Sequence, residues 1–393
     1  MTEVRVFPFQ KSAILELING FSTNGSTCEK QLSTYFKSHK KLGSKDRKRI
    51  SNWFYTYIKH MLLVNAVYPQ IDDSNVEELI ALLDSLDVTS IKDKKEVITS
   101  VLNNHPDFTR EQILSMPNWI LDLWDSQGKD IAENMALAAS VPNPTYIRFN
   151  QVNCDDKTKK ACISDERLGL SLDNELQVYW STSKQLEQSE AFNAGYFEIQ
   201  DYGSQQIGVF TQAKPNEQII DACCGAGGKG LQLASMMKNV GKIWSLDIRA
   251  KALDNYYDRA MRAGVEIAEL FEVPEDPADV DFPFLADCVL MDVPCSGSGV
   301  FSRKADRKYR LKPKQLDDLI ALQESILTHY SAWVKPGGRI IYATCSTFKE
   351  ENQNQIAKFL QKQPEFFLDE EKLIWANEKH NGFYMARLIK KEE

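Results

Sequence analysis

The chain has 393 residues and a formal net charge of -8 at pH 7, a length that predicts about two or three domains and a balance that excludes a protein coated in positive charge, as many nucleic-acid binders are. Its longest apolar runs, such as MLLVNAVY at 61–68, fall short of the roughly 18 residues a membrane-spanning helix needs. The N-terminal MTEVRVFPFQK lacks the apolar stretch of a secretory signal, so a cytoplasmic protein without a membrane partner is expected.

Residues 1–138 read as helices, with apolar residues at three- and four-residue spacing in SAILELINGF, DRKRISNWFYTYIKHMLLV, VEELIALLDSLD, REQILSMPNWILDLWDSQG and DIAENMALAAS. VPNPTYIRFN at 141–150 ends that pattern, because two prolines break the helix and β-branched and aromatic residues follow. From 139 to 212 short strands in TYIRFNQV, LQVYW and GYFEIQD make a small α+β module. From 213 to 393 strands and helices alternate, which predicts an α/β domain with a parallel, Rossmann-like sheet. Its expected strands are QIIDACC, KIWSLDI, EIAELFEV, DCVLMDV, RIIYATCS and GFYMARLIKK.

Eight cysteines stand at 28, 154, 162, 223, 224, 288, 295 and 345. None are spaced C-x-x-C and the chain has five histidines, so no zinc site is expected. Two stretches are strongly basic, KSHKKLGSKDRKR at 37–49 and RKADRKYRLKPK at 303–314, whereas EIAELFEVPEDPADVD at 266–281 has seven acids and no base. Such runs are either solvated faces or, when basic, surfaces for a polyanion.

DACCGAGGKG at 221–230 follows the first strand of the α/β domain and opens a helix, with Gly225, Gly227 and Gly230 in G-x-G-x-x-G spacing. Glycines there permit unusual dihedrals and close approach of a ligand to the backbone. Asp247, at the end of the next strand, is placed to bind ribose hydroxyls. The pattern does not separate NAD from S-adenosylmethionine. The acid at the start of the turn suits a cofactor carrying an ammonium and a sulfonium, and hydride transfer has no use for a pair of thiols, so the reading leans toward S-adenosylmethionine.

Those thiols end two later strands, Cys295 in DVPCSGSG and Cys345 in YATCS, and Asp292 precedes Cys295 by three residues. In open α/β sheets ligands bind at the carboxyl ends of strands. A pyrimidine carbon 5 becomes nucleophilic once a thiolate adds to carbon 6. A base must then remove the carbon 5 proton, and an acid must stabilise charge at nitrogen 3. One nucleophile, one base and one carboxylate are required, and the two cysteines and Asp292 supply those types.

On FEIQDYGSQ, DACCGAGGKG, DVPCSGSG, YATCS followed by KEEN, and NGFYMARL, the region from 141 onward resembles the RNA (cytosine-carbon-5) methyltransferases, and the whole chain resembles their bacterial Sun/Fmu type, which modifies small-subunit ribosomal RNA. The resemblance implies a class I S-adenosylmethionine-dependent methyltransferase fold, with the α+β module and an all-helical domain before it. It implies Cys345 as nucleophile, Cys295 as helper in proton removal and release, Asp292 on the cytosine edge and Lys229 orienting the site. Cys223, Cys224, Gly225, Ala226, Gly227, Gly228, Lys229, Asp247, Arg249 and Asp292 would surround the cofactor. Gly225, Ala226 and Gly230 stand where that family usually has alanine, proline and threonine, which implies a more flexible loop. The acid that reads adenine has three candidates, Glu272, Asp276 and Asp279. Ala305 replaces a common proline, while Asp306 and Arg310 fit.

The implied substrate is RNA, with 16S rRNA favoured over tRNA, and the cytosine must be unstacked. Arg303, Lys304, Arg307, Lys308 and Arg310 are read as a phosphate-contacting rim, the N-terminal helices resemble a NusB-like RNA-binding domain, and a monomer is expected. A non-catalytic RNA-binding factor and an NAD-dependent oxidoreductase are the competing classes.

Overall fold

The computed structural model describes residues 6–392, which divide into two compact units. The helical unit comprises residues up to Asn143 together with Ser298–Pro313 and Ala376–Lys379. Its helices are α1 (Pro8–Asn19), α2 (Cys28–Ser38), α3 (Ser44–Lys59), α4 (Met61–Val67), α5 (Val76–Leu86), α6 (Ile91–Asn104), α7 (Arg110–Leu114), α8 (Asn118–Asp125) and α9 (Lys129–Ala138). Of these, α2 and α6 are absent from the sequence reading. Each starts at a polar cap: Thr27 accepts from the Lys30 N–H and Ser90 from the Asp93 N–H. Two expected helices are broken. The 46–64 pattern splits at His60 (φ -119°, ψ 24°), and the second run splits where Ser115 turns left-handed (φ 46°) ahead of Pro117. The Ser115 hydroxyl accepts the Leu62 N–H at 2.9 Å, supplying a partner at the start of α4.

Apolar faces of these helices meet in one core that includes Ile14, Ile50, Phe54, Leu63, Val64, Leu79 and Leu83, all fully buried. Beside it lie Lys94 and Lys308, also fully buried, and His60. Lys308 Nζ donates to the last carbonyl of α3, that of Lys59, at 2.8 Å. Lys94 Nζ donates to the last carbonyl of α5, that of Leu86, and lies 2.9 Å from His60 Nε2. Helix C-termini favour such donors. Burial nonetheless lowers both lysines to about 7, with the neighbouring Lys59 adding repulsion.

The second unit comprises Pro144–Gly297, Lys314–Trp375 and the residues from His380 onward. Its first sheet contains β1 (Thr145–Phe149), β2 (Leu170–Asp173), β3 (Val178–Ser181) and β4 (Phe197–Ile199), in the antiparallel order β2-β3-β1-β4. Helices α10 (Asp156–Ser164), α11 (Glu190–Asn193) and α12 (Tyr202–Phe210) complete this part. The larger sheet contains β5 (Gln218–Asp221), β6 (Lys242–Asp247), β7 (Ala268–Glu272), β8 (Ala286–Asp292), β9 (Val334–Thr344), β10 (Phe366–Ile374) and β11 (Phe383–Lys390), in the order β10-β11-β9-β8-β5-β6-β7. Strands β5 to β9 are parallel, as the alternating pattern predicts. The sheet is mixed, however, because β11 runs antiparallel to both β9 and β10. The intervening helices are α13 (Gly228–Met236), α14 (Ala250–Ala263), α16 (Pro313–Tyr330) and α17 (Gln353–Lys362), while α15 (Arg307–Arg310) falls in the helical unit.

Alternate strand residues point to opposite faces, and both faces are buried. Ile220, Val289, Met291, Ile340, Tyr342 and Tyr384 share a core with Ile326 and Leu327 of α16 and with Ile356 and Phe359 of α17. Their sequence neighbours Ile219, Leu290, Ile341 and Met385 are fully buried too. The open edge between these faces, at the carboxyl ends of β5, β6, β8 and β9, carries Asp221, Asp247, Asp292 and Thr344.

The two buried lysines predict a pH dependence. Their folded values, about 7, lie below the ordinary 10.5, so between these limits the unfolded chain holds protons the folded unit has shed. Stability therefore rises with pH across that window and levels off below about 7. Melting temperature measured from pH 7 to 9 should climb in the wild type and climb less in Lys94→Met.

Candidate active site

β5 ends at Asp221, and the chain turns into α13 through two left-handed glycines, Gly225 (φ 54°) and Gly227 (φ 79°). A Cβ on Gly227 would overlap the Tyr256 ring of α14, and one on Gly230 would overlap the Tyr256 hydroxyl. Gly225 and Gly228 differ, since the nearest atoms to a Cβ there are guanidinium nitrogens of Arg249 and Arg259, each at 3.9 Å. A Cβ at Gly225 or Gly228 would thus be free of close contacts, the left-handed φ being what calls for glycine at 225, whereas Gly227 and Gly230 make room for Tyr256.

The loop is also tied down. Arg259 of α14 donates to the Ala226 carbonyl at 2.7 Å and to Glu198 of β4 at 2.8 Å. Glu198, nearly fully buried, also receives Arg262 at 2.5 Å. Gln200, just past β4, donates to Gln232 of α13 at 2.9 Å. The α+β sheet therefore braces the turn that opens α13.

Asp221 is fully buried, and neither of its carboxylate oxygens has a well-formed hydrogen bond. Burial raises it to about 7, with Lys229 pulling the other way and the Gly230 N–H acting only weakly. A cationic group in the loop would find its counter-ion here. Asp247 has its acceptor sites filled: Oδ2 takes the Gly225 N–H at 2.8 Å and Arg249 at 3.1 Å, and Oδ1 takes the Arg249 N–H and Nε at 3.0 and 2.9 Å. Burial works to raise this carboxyl, but Arg249 and the two backbone donors outweigh it and hold it below the ordinary range. The Cys223 and Cys224 thiols are pushed up by burial and remain protonated.

β8 and β9 bring the remaining groups together. Asp292 ends β8 in register with Ala343 of β9, and Lys229 Nζ bonds Asp292 at 2.5 Å. Burial works to lower Lys229, but the Asp292 carboxylate more than compensates, so its ammonium is kept charged. Cys295 Sγ and Cys345 Sγ lie 3.2 Å apart. The hydrogen bond with Cys295 lowers Cys345 against burial and the Asp292 carboxylate, with Lys229 assisting. The same bond, burial and the nearby Glu351 raise Cys295 well above its ordinary value. The two sulfurs share one hydrogen bond, in which either can be the donor, and loss of a proton from one is supported by the thiol of the other.

The expected residues of the loop and of the two cysteine turns thus gather along one sheet edge. Glu272, Asp276 and Asp279 are exposed, and Asp276 caps the short turn after it by accepting the Ala278 N–H at 3.0 Å. The basic run requires a correction. Arg303 and Lys304 are exposed, but Lys308 is fully buried in the helical unit with its ammonium on Lys59, so it cannot form part of a phosphate-contacting rim. Arg310 lies against the Ser26 carbonyl at 3.2 Å. The sequence reading gave no role to Glu198, Arg259, Glu351 or Asn352. Glu198 sits in the FEIQDYGSQ motif and the last two in KEEN, whereas Arg259 carried no signal.

Comparison with known proteins agrees with this geometry. Residues 209–390, just under half of the chain, match the family model described as 16S rRNA methyltransferase RsmB/F. The probable ribosomal RNA small subunit methyltransferase B of Bacillus subtilis (strain 168) is 32% identical over 259 residues, covering 64% of this chain and 57% of that protein. The chain thus aligns with a little over half of that relative's length. Among solved structures, PH0851 matches 99% of this chain and 100% of its own with a TM-score of 0.76 at 22% identity. NSun6 from Pyrococcus horikoshii with SFG matches 70% of this chain and 99% of its own with a TM-score of 0.63 at 17% identity. The second unit shares its Rossmann-like fold with these structures, and residues 209–390 match the RsmB/F methyltransferase family model.

Proposed function

We propose that the chain methylates carbon 5 of a cytosine in RNA, with small-subunit ribosomal RNA the favoured substrate, through a covalent bond between Cys345 and the base. The observation that carries this reading is the 3.2 Å contact between the two thiols at the ends of adjacent strands, beside the Lys229–Asp292 pair. Neither hydride transfer nor plain RNA binding gives such a pair any use.

S-adenosylmethionine, when bound, supplies an electrophilic methyl group. The residues present fit it. The open backbone at Gly225 and Gly228 leaves space beside the loop, with Cys223, Cys224, Ala226 and Gly227 completing the turn, and the orphaned Asp221 carboxylate suits an ammonium. Ribose hydroxyls at Asp247 would take over acceptor sites that Arg249 fills. An NAD pyrophosphate would bring negative charge toward Asp221, which disfavours the oxidoreductase reading.

In the reaction the Cys345 thiolate adds to carbon 6 of the cytosine, and carbon 5 then accepts the methyl group. Asp292, held by Lys229, meets the polar edge of the base, and the Lys229 ammonium beside it offsets the negative charge that develops at nitrogen 3. The carbon 5 proton passes to water, with Cys295 assisting its removal, and the electron pair it leaves re-forms the bond between carbons 5 and 6. The bond between carbon 6 and sulfur then breaks, and the thiolate returns to Cys345. The exposed Arg303 and Lys304 are candidates for phosphate contact, together with Arg307 and Arg310; Lys308 is not. A cytoplasmic monomer acting on an unstacked cytosine completes the reading.

Incubation with labelled S-adenosylmethionine and naked ribosomal RNA, followed by bisulfite mapping, should place a methyl group on carbon 5 of a cytosine; absence of label from RNA sinks the proposal. Cys295→Ala should accumulate a covalent RNA complex on denaturing gels. Cys345→Ala should show neither complex nor turnover, and a trapped complex in that variant would reverse the two roles. Mild alkylation near pH 7 followed by mass spectrometry should mark Cys345 before Cys295, and Lys229→Met should slow that labelling several-fold.

A further inference from the structure

The turns bearing the two cysteines are each clamped on both sides by the same small cluster. Before Cys295, the Pro294 carbonyl accepts from Gln323 Nε2 at 2.9 Å. After it, the Ser296 N–H and hydroxyl donate to Glu351 Oε1 and Oε2 at 2.7 and 2.5 Å. Gln323 also donates to Glu351 Oε1 at 2.9 Å. Before Cys345, the Thr344 hydroxyl donates to Asn352 Oδ1 at 2.6 Å, and after it the Ser346 carbonyl accepts from Asn352 Nδ2 at 3.0 Å. Ser296 and Ser346 are joined hydroxyl to hydroxyl at 3.2 Å. Ser296, Gln323, Thr344, Ser346, Glu351 and Asn352 are all fully buried.

Glu351 is the unusual member, a buried carboxylate whose hydrogen-bond partners are all neutral. Desolvating it is costly, and a neutral side chain of similar shape would fill the space. What the carboxylate offers is two oxygens on a short, stiff group, able to hold the backbone and the side chain of one residue at once. The Glu351 carbonyl is itself fixed by the Tyr342 hydroxyl of β9 at 2.7 Å. The neighbouring Asn352 reaches the second turn, so two adjacent residues address both cysteines.

We propose that Glu351 and Asn352 are positioning residues that set the spacing of the two thiols, a role that rests on the reading of Cys345 and Cys295 as the reacting groups. They touch neither thiol's reaction partner. They fix the backbone on either side of each cysteine, so that only the side-chain torsion of the thiol stays free. A misplacement of about 1 Å between reacting groups is enough to cost roughly 10²-fold in rate.

The test uses full-length protein and two readouts, one of which needs no RNA. Dibromobimane fluoresces only after both of its arms have alkylated thiols, so it reports whether Cys295 and Cys345 remain adjacent. Wild type should cross-link. Glu351→Gln should cross-link and turn over nearly as wild type, because its oxygen can accept from Ser296 N and its amide can donate to the Ser296 hydroxyl. Glu351→Ala should lose cross-linking several-fold and lower kcat by about 10- to 100-fold, with KM for RNA and affinity for S-adenosylmethionine within about twofold of wild type. If Glu351→Ala does not fold, Glu351→Asp, which keeps the charge but draws it back by one methylene, should show the same losses to a smaller degree.

Wild-type cross-linking and turnover in the folded Ala or Asp variant would overturn the proposal. So would a Glu351→Gln loss as deep as that of Glu351→Ala, which would point to charge, or a parallel loss of cofactor binding, which would point to general disruption. Absence of methyl transfer by wild type would defeat the functional reading instead, while the dibromobimane result would still decide the geometry.

Discussion

The parallel pairing of β8 with β9 is the constraint on which the active site depends. Parallel neighbours end at the same sheet edge, and the register that sets Asp292 beside Ala343 leaves two short turns to bring one cysteine from each strand into contact. β5 joins the other side of β8 with Asp221 beside Leu290, so the glycine turn leaves from the same edge. Each side chain proposed to react therefore sits on a strand end or one turn beyond it, on backbone already fixed by the ladder.

Lys229 links the groups gathered on that edge. It lies within electrostatic reach of Asp221, Asp292 and Cys345, in a place where acids would otherwise face one another. Asp292 keeps it charged, and toward Cys345 the ammonium and that carboxylate act in opposite directions. The lysine comes from the first turn of α13, so the position of that helix, held by Tyr256, Gln232 and Arg259, also influences the charge on a sulfur delivered by another strand.

Much of this was readable beforehand because it is local. The glycine turn, the acid after β6 and the two cysteine turns depend on short runs of sequence following apolar strands. β10 was missed because its pattern is that of an edge strand. FFLDEEKLI has mostly exposed residues, and its acids Asp369 and Glu370 are held by Arg387 of β11, each at 2.6 Å. The split at His60 was invisible because periodicity runs through it, and its freed groups find partners on distant segments, the Lys59 carbonyl on Lys308 and the Leu62 N–H on Ser115. The split at Ser115 was legible in Pro117, which ends a helix before it. The charge run at 303–314 misled for a related reason, since spacing cannot tell an exposed ammonium from one that caps a buried helix end. The roles of Glu198 and Arg259 required the antiparallel sheet to be placed against α14, which no local pattern encodes.

The composition of the helical unit has a consequence for how the chain can be cut. Ala305, Lys308 and Tyr309 are interior residues of that unit, yet they are encoded after the first cysteine turn, more than a hundred residues past the last N-terminal helix. Ser115 and Tyr309 share a hydroxyl contact at 2.9 Å. The unit is therefore not a detachable prefix. A fusion or truncation drawn at residue 143 would separate a core from part of its own filling, and exchange of this unit with that of another protein would require transplanting an internal segment along with the N-terminal one.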